Sequence, residues 1–178
     1  SLRSTELQFA RLLKEAAGGF DLRLHLFAMP EIRRGEDARA RMDGFYADAA
    51  AIPEAGMDAL IFTGAEQHAD RFNDEPYWRA LTRLMDWAAA GTVTTLFSGV
   101  AAYAAVQHFD GVRRRPLPKK LSGVFAGLRA AEDSLLTGMP ARANTPHSRR
   151  QGVMENDLTS HGYRVLTRLT DGSVDLFV

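Results

Sequence analysis

Residues 94–106 constrain the possible fold more than any other stretch of this chain. Thr94–Phe97 are apolar or β-branched and predict a strand, whereas the alanine-rich run at residues 100–106 predicts a helix. Ser98 and Gly99 form the corner between them. A strand that turns sharply into a helix raises the corner residue above the sheet and directs the first helical N–H groups at any negative charge that develops there. The stretch therefore indicates an α/β fold with a candidate nucleophile position at the corner.

The first part of the chain predicts a helix followed by a strand. A capping-box pattern at residues 5–8 begins an apolar periodicity typical of a helix, which Gly18 and Gly19 are expected to end. Leucines alternate with polar residues at residues 22–26, and this period of two predicts a strand.

The same alternation continues up to the corner. Helical spacing around residues 42–49 precedes a short apolar run at Ala59–Phe62, which predicts a buried strand. Asp74 is then expected to cap a third helix, ahead of a strand at residues 92–97. We therefore expect a three-layer α/β sandwich with a mostly parallel central sheet, in which Ala59–Phe62 and residues 92–97 are adjacent or near-adjacent strands.

Beyond Gly111 the sequence changes character. The basic, proline-containing residues 113–120 predict a stiff connecting loop. Residues 163–167 and 174–178 have strand-like composition and are separated by Thr170-Asp171-Gly172-Ser173, which predicts a terminal hairpin.

Composition excludes several classes of function. The 22 basic and 22 acidic residues balance, so no overall positive field favours nucleic acid or an anionic membrane. Without cysteine the chain has no disulfide and no thiolate metal site, and its histidines show no metal-ligand spacing, so we expect no metal. No apolar run reaches the about 20 residues of a membrane-spanning helix. The expected location is therefore the cytoplasm.

Several separated motifs agree with one known family. They are a Thr-Glu-x-Gln pattern at residues 5–8, Thr63-Gly64-Ala65-Glu66, Asp74-Glu75-Pro76-Tyr77-Trp78, residues 94–106, the Pro-Leu-Pro-Lys-Lys-Leu-Ser-Gly-Val-Phe run at residues 116–125, and Pro146-His147-Ser148-Arg149. In their order and spacing the chain resembles the homoserine O-acyltransferases of the succinyltransferase type, which have a class I glutamine amidotransferase-like (flavodoxin-like) fold. The resemblance implies acyl transfer from acyl-coenzyme A, with succinyl-coenzyme A expected, to the hydroxyl of L-homoserine in methionine biosynthesis. It implies no cofactor beyond this co-substrate.

The chain departs from that family where catalysis would occur. The family carries a cysteine at the corner, and this position aligns with Gly99, which has no side chain. A histidine and a glutamate from a His-Pro-Glu segment complete the family's triad. We expect residues 1–178 to form a single amidotransferase-like domain that lacks the first strand and the C-terminal His-Pro-Glu segment, as a fragment or as the product of a degenerate gene. The chain as given is expected to be inactive.

The resemblance also assigns binding roles to individual residues. The backbone N–H groups of Val100 and Ala65 correspond to the oxyanion donors of the family. Lys120 and Ser148 match positions that bind the substrate, and a cation suits the carboxylate of homoserine. Arg149 is a further substrate-binding candidate, suited to anionic coenzyme A. His68 aligns near the position that tunes the choice of acyl chain.

Two alternatives to acyl transfer remain open at this point. A non-catalytic relative could keep the fold to bind a ligand or a protein partner. Ser98 could instead act as the nucleophile of an acyl hydrolase, although successive strand residues face opposite sides, which would turn it away from the corner position. His147 is better explained as a structural hydrogen-bonding residue than as a general base. Exposed sheet edges make a homodimer plausible.

Overall fold

A computed structural model describes residues 2–65, 67–91 and 94–178. The chain divides into two compact units. The N-terminal unit comprises Ser1–Leu60 and Glu66–Thr95, and the C-terminal unit comprises Ile61–Ala65 and Leu96–Val178. Glu66, Thr92 and Val93, which the sequence assigned to a loop motif and to the start of a strand, lie outside the described residues.

Helices and strands alternate through the first half of the chain, and strands dominate the second half. The helices are α1 (Leu2–Ala16), α2 (Glu36–Asp43), α3 (Trp78–Ala90), α4 (Val100–Asp110) and α5 (Glu155–Thr159). The strands are β1 (Phe27–Ala28), β2 (Ala47–Asp48), β3 (Ala59–Phe62), β4 (Thr94–Phe97), β5 (Arg115–Arg129), β6 (Arg142–Gly152), β7 (Val165–Leu169) and β8 (Val174–Phe177). Short 3-10 helices lie at Ala49–Glu54, Phe72–Asp74 and Ser134–Leu136.

The start of the N-terminal unit differs from the sequence prediction in two places. Helix α1 already begins at Leu2, so the capping box predicted at residues 5–8 is wrong. Leucine and arginine at positions 2 and 3 are good helix formers, and they extend the helix by a turn. The strand predicted at residues 22–26 is also wrong, because β1 occupies Phe27–Ala28 and pairs in parallel with β2. Alternation of apolar and polar residues is not enough to form a strand. No described strand pairs with residues 22–26.

Helix α3 supplies much of the core of the N-terminal unit. It buries the side chains of Leu81, Leu84, Met85 and Ala88. The helix begins at Trp78, so Asp74 does not cap it as predicted and lies instead in a 3-10 turn. The reason is Pro76, which disfavours helical geometry at the residue before it, and Glu75 is indeed extended with ψ of 135°.

Strands β3 and β4 form a two-stranded sheet, as predicted for neighbouring strands. The N–H of Ser98, directly after β4, donates to the carbonyl of Phe62 at the end of β3 over 2.8 Å. The rings of Phe62 and Phe97 stack with centroids 5.1 Å apart. The carboxyl end of β4 is therefore held in register with the end of β3.

The largest sheet of the C-terminal unit is antiparallel, with strand order β6-β5-β7-β8. The predicted terminal hairpin is confirmed as β7 and β8. The predicted connecting loop at residues 113–120 is wrong for residues 115–120, which belong to β5. Its prolines are accommodated because the β5–β6 register shifts between Pro116 and Leu121. Parallel pairing is found between β1 and β2.

None of the helices in the described ranges combines the length and the apolar content needed to cross a membrane.

Candidate functional site

The corner between β4 and α4 has the backbone geometry of a strained turn. Gly99 has φ of +61° and ψ of −122°, a conformation that residues with a side chain rarely adopt. A Cβ built on Gly99 would have no heavy atom within 4 Å other than those of its chain neighbours. Any side chain at this position would therefore project into open space at the start of α4.

Ser98 is held by its backbone on the strand side of this corner. Its N–H bonds to Phe62, and its carbonyl accepts the N–H of Ala101 over 3.3 Å. The residue is half-buried, whereas Gly99 is exposed. These features favour residue 99 over residue 98 as the position whose side chain the corner would expose. A nucleophilic role for Ser98 stays a prediction.

The loop after β3 lies directly against the first turn of α4. A Cβ on Gly64 would come within 3.0 Å of the Cβ of Val100 and within 3.3 Å of its amide nitrogen. Only a glycine permits this approach without displacing the helix start. Since Ala65 follows Gly64 in the chain, the two predicted oxyanion donors, Ala65 and Val100, belong to segments that are in contact.

The amide groups of these two residues are available as donors. Among the residues that the structure describes, neither the Val100 nor the Ala65 N–H donates to a backbone carbonyl. The first N–H groups of a helix have no partner within the helix, and they carry the positive end of its dipole. The corner can therefore stabilise a negatively charged oxygen placed next to residue 99.

Lys120 and Ser148 both lie on the hairpin formed by β5 and β6. Ser148 pairs with Ser122 across the hairpin, two residues along the chain from Lys120. Lys120 lies in the irregular segment between Pro116 and Leu121, and both predicted binding side chains are exposed. The structure thus brings these two residues to the same part of one hairpin.

Arg149 is half-buried and is bound within the protein. Its Nη1 donates to the hydroxyl of Tyr103 on α4 over 2.6 Å. Its Nη2 donates to the hydroxyl of Ser173 at 3.1 Å and to the carbonyl of Val174 at 3.0 Å. Burial alternates along β6, so the exposed Ser148 faces away from the side that Arg149 occupies. A role for Arg149 in binding coenzyme A stays a prediction.

His147 is part of a polar cluster inside the four-stranded sheet. Its Nε2 lies 3.1 Å from Oδ1 of Asp175, and Oδ2 of Asp175 accepts a hydrogen bond from Thr167 at 2.9 Å. Burial of the imidazole lowers the pKa of His147 below its usual value, and the positive charge of Arg149 lowers it further, against the opposing effect of Asp175. The ring is therefore neutral near pH 7, and it holds a structural hydrogen bond of the kind that the sequence favoured.

His68 lies in the N-terminal unit, where its side chain is exposed. Its N–H donates to Oε1 of Glu75 over 2.8 Å, and the next amide, that of Ala69, donates to the same oxygen over 2.9 Å.

The sequence prediction missed Glu75 and also Asp175. Each of these carboxylates meets its partners only where another segment packs against it, Glu75 with the loop at His68 and Asp175 with His147 of β6.

Metal ligands are not clustered in the described ranges. No group of three or more His, Asp or Glu side chains is close enough there to hold a metal ion. The expectation of no metal and no cofactor beyond acyl-coenzyme A stays a prediction.

Comparison with known proteins identifies the family. The family model described as homoserine O-succinyltransferase matches residues 2–178. A homoserine O-succinyltransferase from Rhodopseudomonas palustris is 45% identical over 177 residues, which are 99% of this chain and 53% of the relative. One from Methylorubrum extorquens is 49% identical over 178 residues, which are 100% of this chain and 52% of the relative. The chain thus spans about half the length of these curated relatives.

The fold is similar to that of the glutamine amidotransferases. A glutamine amidotransferase from Methylobacillus flagellatus superposes with a TM-score of 0.59 at 13% identity, covering 89% of this chain and 66% of that one. At this identity the likeness concerns the fold alone, and it confirms the predicted amidotransferase-like class. Since the family model covers the chain from residue 2 to its last residue, the chain belongs to the homoserine O-succinyltransferase family.

Proposed function

We propose that this chain has the substrate sites of an enzyme that transfers an acyl group from acyl-coenzyme A, with succinyl-coenzyme A as donor, to the hydroxyl of L-homoserine in methionine biosynthesis, and that the corner nucleophile of such an enzyme is missing in this chain. The observation that carries the proposal is the corner at Gly99, where a glycine with positive φ faces open space beside the N–H groups of Val100 and Ala65. Family membership supports the choice of substrates.

In this proposal the corner binds the reacting acyl group. The N–H groups of Val100 and Ala65 donate to the acyl oxygen as it gains negative charge. Lys120 and Ser148 bind the acceptor, with the ammonium group of the lysine paired to its carboxylate. Both side chains are exposed, so both are accessible to a substrate.

The chemical step needs a nucleophile that residue 99 does not supply in this chain. In the family a cysteine thiolate attacks the acyl carbon, coenzyme A leaves as its thiol, and the homoserine hydroxyl then takes the acyl group and regenerates the cysteine. With glycine at position 99, no thioester forms. We expect the chain as given to bind its substrates without turnover.

The glycine at position 99 also supports a second candidate function. A non-catalytic relative would keep the corner and use it for binding alone. A serine hydrolase that uses Ser98 is less well supported, because Ser98 lies on the strand side of the turn.

We also propose that the protein is a cytoplasmic homodimer, without nucleic-acid or membrane partners.

The test is formation of a thioester by the Gly99→Cys variant. After incubation with succinyl-coenzyme A, the intact mass should increase by one succinyl group, and hydroxylamine should remove it. The matched control is Ser98→Cys, which should remain unmodified. Absence of an adduct on folded Gly99→Cys, or an equal adduct on Ser98→Cys, would overturn the assignment of the corner. Turnover by the unmodified chain that Ser98→Ala abolishes would instead support the hydrolase.

A further inference from the structure

The β5–β6 hairpin of the C-terminal unit is strongly basic in a chain whose charges balance overall. Strand β5 has four basic residues and β6 has three, and neither strand contains aspartate or glutamate. The whole chain has 22 basic and 22 acidic residues, so the hairpin is a local departure from neutrality. A surface with one sign of charge attracts ligands of the opposite sign.

Three of these seven basic side chains already have partners. Arg115 forms an ion pair with Asp157 at 2.9 Å, and Arg129 forms one with Glu132 at 3.1 Å. Arg149 is held by the hydrogen bonds described above. The other four are exposed and form no ion pair with any residue in the described part of the chain: Lys119, Lys120, Arg142 and Arg150.

An irregularity in the strand pairing brings three of these four charges together. Regular pairing of β5 with β6 stops at Pro116 and resumes at Leu121. On β6 only Arg150 lies between the partners of these two residues, so it faces a bulge of four residues, 117–120. The bulge contains both lysines. Three cations are therefore neighbours, and a bound anion would relieve the repulsion between them.

The bulge is held at both ends. A Cβ on Gly152 would lie 3.3 Å from Cδ2 of Leu117, so the first residue of the bulge packs on β6. Leu121, directly after the bulge, is 7% exposed. The rings of Pro116 and Pro118 restrict the backbone further, because each fixes its own φ. The backbone that carries the two lysines therefore needs little further ordering when a ligand binds.

Two hydroxyl groups lie on the same face of the hairpin as Arg150. Burial alternates along β6, so Ser148 and Arg150 share the exposed face. Ser122 pairs with Ser148, and the side chains of paired residues lie on the same face of a sheet. This face thus combines cationic groups with neutral hydrogen-bond donors.

We propose that Lys119 and Arg150, together with Lys120, form a binding site for the phosphate groups of a ligand. Arginine binds two phosphate oxygens at once through its planar guanidinium group, whereas lysine acts as a point charge. A phosphate monoester has a charge of about −1.5 to −2 near pH 7, which matches three cations better than a singly charged carboxylate does.

Two sources have this chemistry, the phosphorylated nucleotide part of coenzyme A and free inorganic diphosphate. The proposed function gives no role to Lys119 or Arg150, so the site goes beyond it. Residues 115–129 and 142–152 lie within the C-terminal unit, so the site needs nothing from the N-terminal unit.

The first measurement is the dissociation constant of inorganic diphosphate, obtained by isothermal titration calorimetry at low ionic strength. Arg150→Gln and Lys119→Gln each remove one charge and should weaken binding by about three- to fivefold. Arg150→Lys keeps the charge but loses the planar group, and it should weaken binding by about twofold. Circular dichroism checks that each variant is folded.

Arg142→Gln is the matched control. It removes the same charge from the same exposed face of β6, eight residues from Arg150. At about 3.3 Å per residue the two positions are about 26 Å apart, which exceeds the screening length of about 10 Å at 0.1 M salt. The control should therefore leave the dissociation constant unchanged.

Amide chemical shifts locate the bound diphosphate. Signals of residues 117–122 and 148–151 should move during the titration. The start of α4 at Val100 is the competing anion site of this unit, so its amide is followed in the same spectra. Shifts confined to Val100, or equal losses of affinity in Arg142→Gln and Arg150→Gln, would overturn the hairpin site. Failure of the unmodified chain to bind diphosphate at about 10 mM would also overturn it.

Titrations with coenzyme A, adenosine 3′,5′-bisphosphate and adenosine separate the two sources. If Arg150→Gln weakens binding of coenzyme A and of the bisphosphate as much as binding of diphosphate, the site takes the nucleotide. If it weakens binding of diphosphate alone, the site takes free diphosphate. Adenosine that binds as tightly as its bisphosphate would overturn the proposal, because the charges would then contribute nothing. None of these ligands has an acyl group, so failure of the site leaves the proposed acyl transfer untouched.

Discussion

Gly127 of β5 gives a quantitative test of how the polar cluster is packed. A Cβ at this position would lie 2.9 Å from Oδ2 of Asp175 and 3.5 Å from the carbonyl oxygen of Ala143. Carbon and oxygen atoms normally approach to about 3.3–3.6 Å, so in Gly127→Ala the carboxylate must move by about 0.4 Å or more. It cannot move freely, because Thr167 and His147 both bind it.

The expected cost follows from two opposing effects. Overpacking a well-packed site costs about 1–3 kcal/mol. Replacing glycine by alanine in an allowed conformation restricts the unfolded chain and returns about 0.4–1 kcal/mol. Gly127→Ala should therefore lower the free energy of unfolding by about 1.3 kcal/mol, which is the difference between the midpoints of these two ranges.

A double-mutant cycle with Asp175→Ala isolates the contact. Without the carboxylate the new methyl group has room, so Gly127→Ala should be neutral or stabilising by up to about 1 kcal/mol in that background. Urea denaturation of the four proteins, followed by circular dichroism, measures each difference. Equal effects of Gly127→Ala in both backgrounds would refute the view that Asp175 is held rigidly against β5.

Two further predictions concern the pKa of His147 and the packing of Phe72. The pKa of His147 should fall further in Asp175→Asn, because the carboxylate raises it, and an increase measured by NMR titration would contradict the assigned contact between the imidazole and the carboxylate. Since folding lowers this pKa, the contribution of His147 to stability should be present above pH about 6.5 and lost as the pH falls. Phe72→Ala should cost about 3–5 kcal/mol in urea denaturation, because the ring is 1% exposed, whereas Phe20→Ala, at 83% exposed, should change stability by less than about 0.5 kcal/mol. Similar costs for the two variants would contradict the assigned core.

The sequence predicted those elements whose signals are local. The strand at Ala59–Phe62, the corner at Gly99 and helix α4 each carry their pattern within a few residues, and the structure contains all three. The hairpin of β7 and β8 was also visible, because its turn residues lie between two strand-like segments. Such elements can be predicted without knowing which distant segments they contact.

Elements that depend on distant partners were missed. Residues 115–120 look like a loop by composition, yet they form part of β5, in which Arg115 pairs with Gly152 and Pro116 with Gln151 of the distant strand β6. Residues 22–26 show the opposite error, a strand pattern without a paired neighbour. The contacts of Glu75 and Asp175 were missed for a similar reason, since each depends on which segment packs against it.

The central claim is that residue 99 is the nucleophile position, and alkylation of single thiols tests it most directly. The chain has no cysteine, so Gly99→Cys and Ser98→Cys each introduce a single reactive thiol. Gly99 has φ of +61°, so a cysteine there costs about 1–3 kcal/mol, and circular dichroism must show that the variant is folded.

The measurement is the rate of reaction with iodoacetamide near neutral pH. A thiol at position 99 projects into open space at the start of α4, and helix N-termini lower thiol pKa values, so Gly99→Cys should react faster than an unperturbed exposed thiol. Ser98→Cys should react slowly, because its position is half-buried on the strand side of the corner. Equal rates, or a faster Ser98→Cys, would contradict the claim and place the nucleophile position one residue earlier.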